Sequence, residues 1–170
     1  MGTVREVELR KRRLTAAFER AKQLAELSDP SELQADFARH LCVLVSGFVE
    51  RSVAEIILAY AQGKTATPLR SFLDVSLKRL SNVDDERLLR IVGSFDAGWA
   101  SQLEKYLVDE RKAALNSIIG LRNDIAHGGG ASVSLARVEK YWAAVQEVVD
   151  KVEEILLPEP RTISPATRRR

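Results

Sequence analysis

The chain of 170 residues, 45% hydrophobic and 29% charged, has the size and composition of one globular domain. Nine glycines, five prolines and 6% aromatics are too few for a turn-rich sandwich or barrel, and the single cysteine, Cys42, excludes an internal disulfide and any multi-cysteine metal site. Of the net charge of +2, the stretch from Pro158 to Arg170 supplies a surplus of three (four arginines against Glu159), which leaves −1 for residues 1–157 and no bulk positive charge to capture nucleic acid.

The first predicted helix runs from about Val4 to Leu27, with Val7, Leu14, Phe18, Ala21 and Leu24 at helical spacing and a basic cluster, Arg10-Lys11-Arg12-Arg13, that reads as a solvated face, with use by RNA or a partner as the alternative. Asp29-Pro30-Ser31-Glu32 carries an Asp cap, a Pro start and a Glu placed to close a capping box. It opens a long second helix to about Ala61, whose wide apolar stripe includes Phe37, Leu41, Leu44, Val45, Phe48, Ile56 and Tyr60. Thr67-Pro68 reads as an N-cap and start for a helix to about Leu80, with Leu69, Phe72, Leu73, Leu77 and Leu80 on one side.

Asn82 to Asp85 restart a short helical piece, and Gly93 and Gly98 bracket a turn. One helix is then expected from about Trp99 to Ala126, stopped by Gly128-Gly129-Gly130, and a last from about Ser134 to Leu157 with a coiled-coil-like seam through Val138, Trp142, Val145, Val149, Val152 and Leu156. No segment alternates with period two as a strand would. The expectation is an all-α bundle of about five helices in a single domain, 1–157, followed by a disordered Pro- and Arg-containing tail, 158–170. With no run of ~20 apolar residues and no apolar leader in Met1–Arg13, a soluble cytoplasmic protein with no membrane partner is expected.

Chemistry concentrates in Leu121-Arg122-Asn123-Asp124-Ile125-Ala126-His127, just before the glycines. Arginine offers a planar fork that grips phosphate and stabilises charge growing on it. Histidine titrates near neutral pH and can carry a proton. Together they suit attack of an RNA 2′-hydroxyl on the adjacent phosphate, a reaction that needs no metal or other cofactor. Asn123 and His127, four apart, share a helix face, whereas Arg122 and His127 lie about 140° apart around an ideal helix. Only the reach of Arg122, or unwinding at the triglycine, brings both to one site. Catalysis needs both an acid and a base, and this segment holds one histidine, so a two-fold dimer is expected to supply the pair. The bland alternative is a capped helix end: a histidine favoured by the macrodipole, a glycine terminator, and Arg122 paired with Asp124, Glu110 or Asp109.

The run from Arg122 to His127 fits the R-x4-H motif of the HEPN superfamily in its RN-x3-H form, and the stretches Phe95–Ser117 and Leu44–Glu50 resemble bacterial HEPN proteins of the RiboL-PSP type. The resemblance spans roughly Phe37 to Leu156. It implies a dimeric helical bundle whose two motifs line a shared cleft, with Arg122 and His127 as the catalytic pair and Asn123 in support. It also implies a metal-independent RNA endonuclease of toxin–antitoxin, anti-phage or other conflict systems, with RNA as substrate and an antitoxin or other regulatory protein as partner. In one branch of that superfamily a tyrosine two residues after the histidine is modified by a nucleotidyltransferase antitoxin; Gly129 stands there in this chain, so that control is not expected. The rival function is a non-catalytic helical dimer that binds nucleotide, RNA or a protein.

Of the remaining candidates, His40 reads as a packing or boundary residue and Cys42 as a small core hydrophobe. Glu50 and Glu55 are read as surface ion pairs or as polar residues able to touch Arg122, and Trp99 and Trp142 as core anchors.

Overall fold

A computed structural model describes residues 4–27, 31–129 and 132–158. Seven helices are seen among them: α1 (Arg5–Leu27), α2 (Ser31–Ala61), α3 (Thr67–Leu77), α4 (Asp85–Gly93), α5 (Ala97–Tyr106), α6 (Asp109–Ala126) and α7 (Leu135–Leu156). The Asp29-Pro30 start signal and the expected tail beyond Pro158 lie outside the described residues.

The 31-residue α2, roughly 46 Å long at 1.5 Å per residue, is the axis of the bundle. It packs against α1, α3, α6 and α7, which is why apolar side chains surround most of its circumference. Its counterpart is α7, opened by a Ser134 side chain that accepts from the Arg137 N–H and buried along Val138, Trp142, Val145, Val149, Val152 and Leu156. Val148 and Ile155 extend that seam to a second side, and α7 accordingly meets α1, α2, α5 and α6. At the centre Trp142 stacks on Phe18 (6.0 Å between centroids) and takes the edge of Phe48 (4.8 Å). Such a cluster holds three helices together, and removing its indole would cost about 3–5 kcal/mol.

The expectation of about five helices is corrected in one place above all. The helix expected from Trp99 to Ala126 is two, α5 and α6, broken at Leu107 (φ −85°, ψ 65°) and Val108 (φ −122°, ψ 165°), with Asp109 in the left-handed region at φ +48°. The break turns Leu107 into the core, where it is 3% exposed. The Tyr106 carbonyl at the break accepts from the Val108 N–H and from Arg111 Nε, both at 3.0 Å, while the Arg111 guanidinium lies 4.1 Å over the Tyr106 ring. Aspartate tolerates the left-handed backbone better than most residues, and no glycine or proline lies between Trp99 and Ile119 to announce the turn.

Two smaller corrections concern α3. Its N-cap is Ala66, without a side-chain cap, so Thr67 is already helical. The helix ends at Leu77 and continues as tight turns, Arg79 N–H to Ser76 and Leu80 N–H to Leu77. Leu77 and Leu80 pack on the core, but Leu69 and Phe72 stay largely exposed. The following restart behaves as expected: the Asp84 carboxylate accepts from the Arg87 N–H at 2.8 Å and caps α4.

Candidate functional site

Arg122 and Asn123 leave the last turns of α6 half-buried, facing the loop between α3 and α4. That loop presents Asn82, held in the left-handed region at φ +51°, a conformation asparagine accepts more readily than most side chains. Two bonds tie Asn82 down. Its N–H donates to Glu50 Oε1 on α2 at 2.8 Å, and its side-chain Oδ1 accepts from Arg122 Nη1 at 3.4 Å. The same Nη1 donates to Asn123 Oδ1 at 3.1 Å. Glu50, Asn82, Arg122 and Asn123 thus form one connected row across α2, a loop and α6. Glu50 reaches Arg122 through Asn82 rather than directly, and Arg122 makes no ion pair with Asp109, Glu110 or Asp124 among the described residues.

A guanidinium has five N–H donors in a planar fork, and the row uses Nη1 alone. The Nε–Nη2 edge keeps the geometry to receive two oxygens of a phosphate while the neighbours fix the plane.

A second cluster further up α6 holds the loop. The Asn116 side-chain oxygen accepts from the Asp85 N–H at 3.1 Å, and Lys112 Nζ lies 2.8 Å from Asp85 Oδ2. This pins the start of α4 to α6, three residues after Asn82. Burial pushes the Asp85 carboxyl up, but the bonds from Lys112, Asn116 and the Glu86 backbone and the Lys112 charge outweigh it and hold the group below its ordinary value.

His127 is built differently. It is the C-cap of α6, its N–H bonded to the Asn123 carbonyl at 3.0 Å. Beyond it Gly128 at φ +73° donates to Ile125 (3.2 Å) and Gly129 donates to Asp124 (2.8 Å), the paired bonds of a Schellman closure. Each glycine is needed for its own reason. Gly128 adopts a backbone that L side chains resist, and a Cβ on Gly129 would sit 2.9 Å from the Asp124 carbonyl oxygen. The helix is therefore closed rather than unwound there, and no hydrogen bond joins the Arg122 and His127 side chains. The imidazole is exposed, with no partner among the described residues.

Elsewhere, Trp142 is the core anchor expected, while Trp99 is half-buried with its ring 5.2 Å from Tyr60. Cys42 is buried with its thiol 3.7 Å from the Ile118 carbonyl, and burial pushes that thiol up to about 11, which makes it a poor nucleophile. His40 is exposed on α2. Among the described residues no group of three or more His, Cys, Asp or Glu side chains is placed to hold a metal ion, and no helix is long and apolar enough to cross a membrane.

A family model described as RiboL-PSP-HEPN matches residues 8–157. The chain belongs to the RiboL-PSP-HEPN family. HEPN domains are helical and are often ribonucleases, so membership agrees with the bundle and points to a nuclease or RNA-related role. No curated protein and no solved structure is significantly similar to this chain. Asn82 is the residue that sequence reasoning missed. Its only local signal was its place at a helix restart, which marks a turn and says nothing about a partner forty residues away.

Proposed function

We propose that this HEPN protein is a metal-independent RNA endonuclease acting as a two-fold dimer, in which Arg122 and His127 from both subunits form one composite site and Asn123 supports it. Arg122 binds the scissile phosphate and stabilises the charge that builds on it as the 2′-hydroxyl attacks. One His127 removes the proton from that hydroxyl, and the second protonates the departing 5′-oxygen. The P–O bond to the 5′-oxygen breaks as the bond to the 2′-oxygen forms, leaving a 2′,3′-cyclic phosphate and a 5′-hydroxyl. An effector of a toxin–antitoxin or anti-phage system, restrained by an antitoxin or another regulatory protein, is the biological role that this chemistry suits.

The observation that carries the reading is the contrast within one helix end: a guanidinium oriented by two neighbours through Nη1, with no partner at Nε or Nη2 among the described residues, and an exposed imidazole five residues later. The experiment is incubation of the purified protein with RNA in excess EDTA, followed by analysis of product ends, for wild type and His127→Ala. Cyclic-phosphate ends from wild type and none from the variant support the reading. Equal cleavage by both, or no cleavage by wild type across RNAs of varied sequence, removes it.

A further inference from the structure

On the face where α1 and α2 pack as an antiparallel hairpin, a groove of about 440 Å3 opens between the two helices. Its floor is aliphatic: Leu14 and Ala17 from α1, and Val43, Leu44 and Gly47 from α2. Val43 and Leu44 are 40% and 38% exposed although they belong to the central helix of the bundle, and a Cβ on Gly47 would meet nothing within 4 Å. The walls are basic. Arg10, Arg13 and Arg20 rise from α1 and Arg51 from α2. Arg10 is engaged by Glu55 at 3.6 Å, but Arg13, Arg20 and Arg51 have no ion-pair or hydrogen-bond partner among the described residues.

The spacing of these residues says what shape fits. Arg10, Arg13, Ala17 and Arg20 recur at steps of three and four along α1, and Leu44, Gly47 and Arg51 do so along α2. Two such ridges leave between them the hole pattern that receives the knobs of a third helix. We infer that this groove docks an amphipathic α-helix of another protein, with apolar side chains seated on Leu14, Ala17, Leu44 and Gly47 and acidic side chains along its edges that pair with Arg13, Arg20 and Arg51. From Arg10 to Arg20 the groove spans about 15 Å, roughly three turns of helix.

Two other occupants fit the observations less well. A second copy of this chain placed here about a two-fold axis would set the same arginines of both copies against one another, a like-charge arrangement that an isologous interface disfavours. Single-stranded nucleic acid binds by stacking bases on exposed aromatic rings, and the one aromatic in the groove, Phe48, is 4% exposed and engaged with Trp142. Docking here requires no nuclease activity, so it stands or falls separately from the proposed reaction.

The test is to pan a displayed library of helical peptides about 18 residues long against the full chain, then measure the enriched peptides by fluorescence anisotropy. Enriched sequences are expected to carry Leu, Ile or Met at i, i+3/i+4 and i+7 flanked by Glu and Asp, and to weaken at least tenfold against Arg13→Glu with Arg51→Glu and at raised salt. The milder pair Arg13→Gln with Arg51→Gln, checked by thermal melting, provides the same reading if the charge reversals fail to fold. The inference is overturned if the library yields nothing that Gly47→Glu abolishes, if the enriched helices are basic or uncharged, if a dodecamer of uridine competes for the groove where no peptide does, or if the arginine variants change the sedimentation of the protein alone.

Discussion

Arg122 is held in advance by Asn82 and Asn123, with Glu50 securing Asn82 from behind, whereas His127, on the same helix end, projects from a Schellman cap with no hydrogen-bond or ion-pair partner for its imidazole among the described residues. A phosphate-binding group gains from being fixed before the substrate arrives, because its orientation costs nothing at the moment of reaction. A proton carrier needs a partner at the reacting oxygen, and no hydrogen bond from the described residues aims this imidazole. The difference teaches that the fold of one chain orients Arg122 but supplies no hydrogen-bond partner for His127 among the described residues. The proposed dimer is the reading that fills that gap.

The largest effect should come from removing either half. Arg122→Ala and His127→Ala are each expected to lower RNA cleavage by about 10²–10⁴-fold. They should part company in thermal melting. His127→Ala leaves the melting temperature unchanged, since the exposed side chain has no hydrogen-bond or ion-pair partner among the described residues, while Arg122→Ala costs about 1 kcal/mol through the lost bonds to Asn82 and Asn123. Equal melting losses would erase the contrast between the two halves.

Next comes Asn82→Gly, which keeps the left-handed backbone at φ +51° and removes only the amide that orients Arg122. Cleavage is expected to fall about tenfold, with the loss in turnover rather than in RNA affinity, because the guanidinium remains present but is held by Asn123 alone. A variant that kept full turnover would show that Arg122 needs no such support.

On the histidine side, Gly129→Ala is expected to destabilise the protein by about 1–2 kcal/mol, since its Cβ would stand 2.9 Å from the Asp124 carbonyl oxygen; this lowers the melting temperature by roughly 2–4 °C per kcal/mol. Activity should fall by more than the stability loss explains, because the cap that carries His127 must shift. An unshifted melting curve would mean that the Schellman closure is dispensable.

The smallest effect concerns the support behind Asn82. Because the folded-state value of the Asp85 carboxyl lies below that of the unfolded chain, its contribution to stability is complete above the unfolded value of ~3.9 and disappears as pH falls through the lower, folded value. Melting curves taken as pH is lowered through that range should drop less steeply for Asp85→Asn than for wild type, and parallel acid limbs would contradict the assignment.

How far the sequence already displayed this follows from the range of each signal. The long apolar stripes of α1, α2 and α7 read directly as buried faces, and the Ser134 and Asp84 caps sit where local side chains can mark a helix start. The α5–α6 break had no such mark, because it goes with burial of Leu107 and with a bond from Arg111, a residue on the next helix, neither of which a local pattern shows. Likewise the chemical pair Arg122 and His127 was visible as residue types at one helix end. Its orientation was not, since Asn82 and Glu50 come from 40 and 72 residues earlier in the chain and only the fold brings them near. Of the two ways to bring Arg122 and His127 together, unwinding at the glycines does not occur, for a local reason, the hydrogen bonds that Gly128 and Gly129 return to the last turn of α6.

Dilution of the wild-type chain with His127→Ala, co-refolded so that subunits mix, tests the two-chain site most directly. If each reaction needs one imidazole as base and its twin from the other copy as acid, equal amounts of the two chains leave about a quarter of the undiluted activity. A fall to only about half, in simple proportion to the wild-type share, would mean that each chain carries a whole site and that the histidine needs no counterpart.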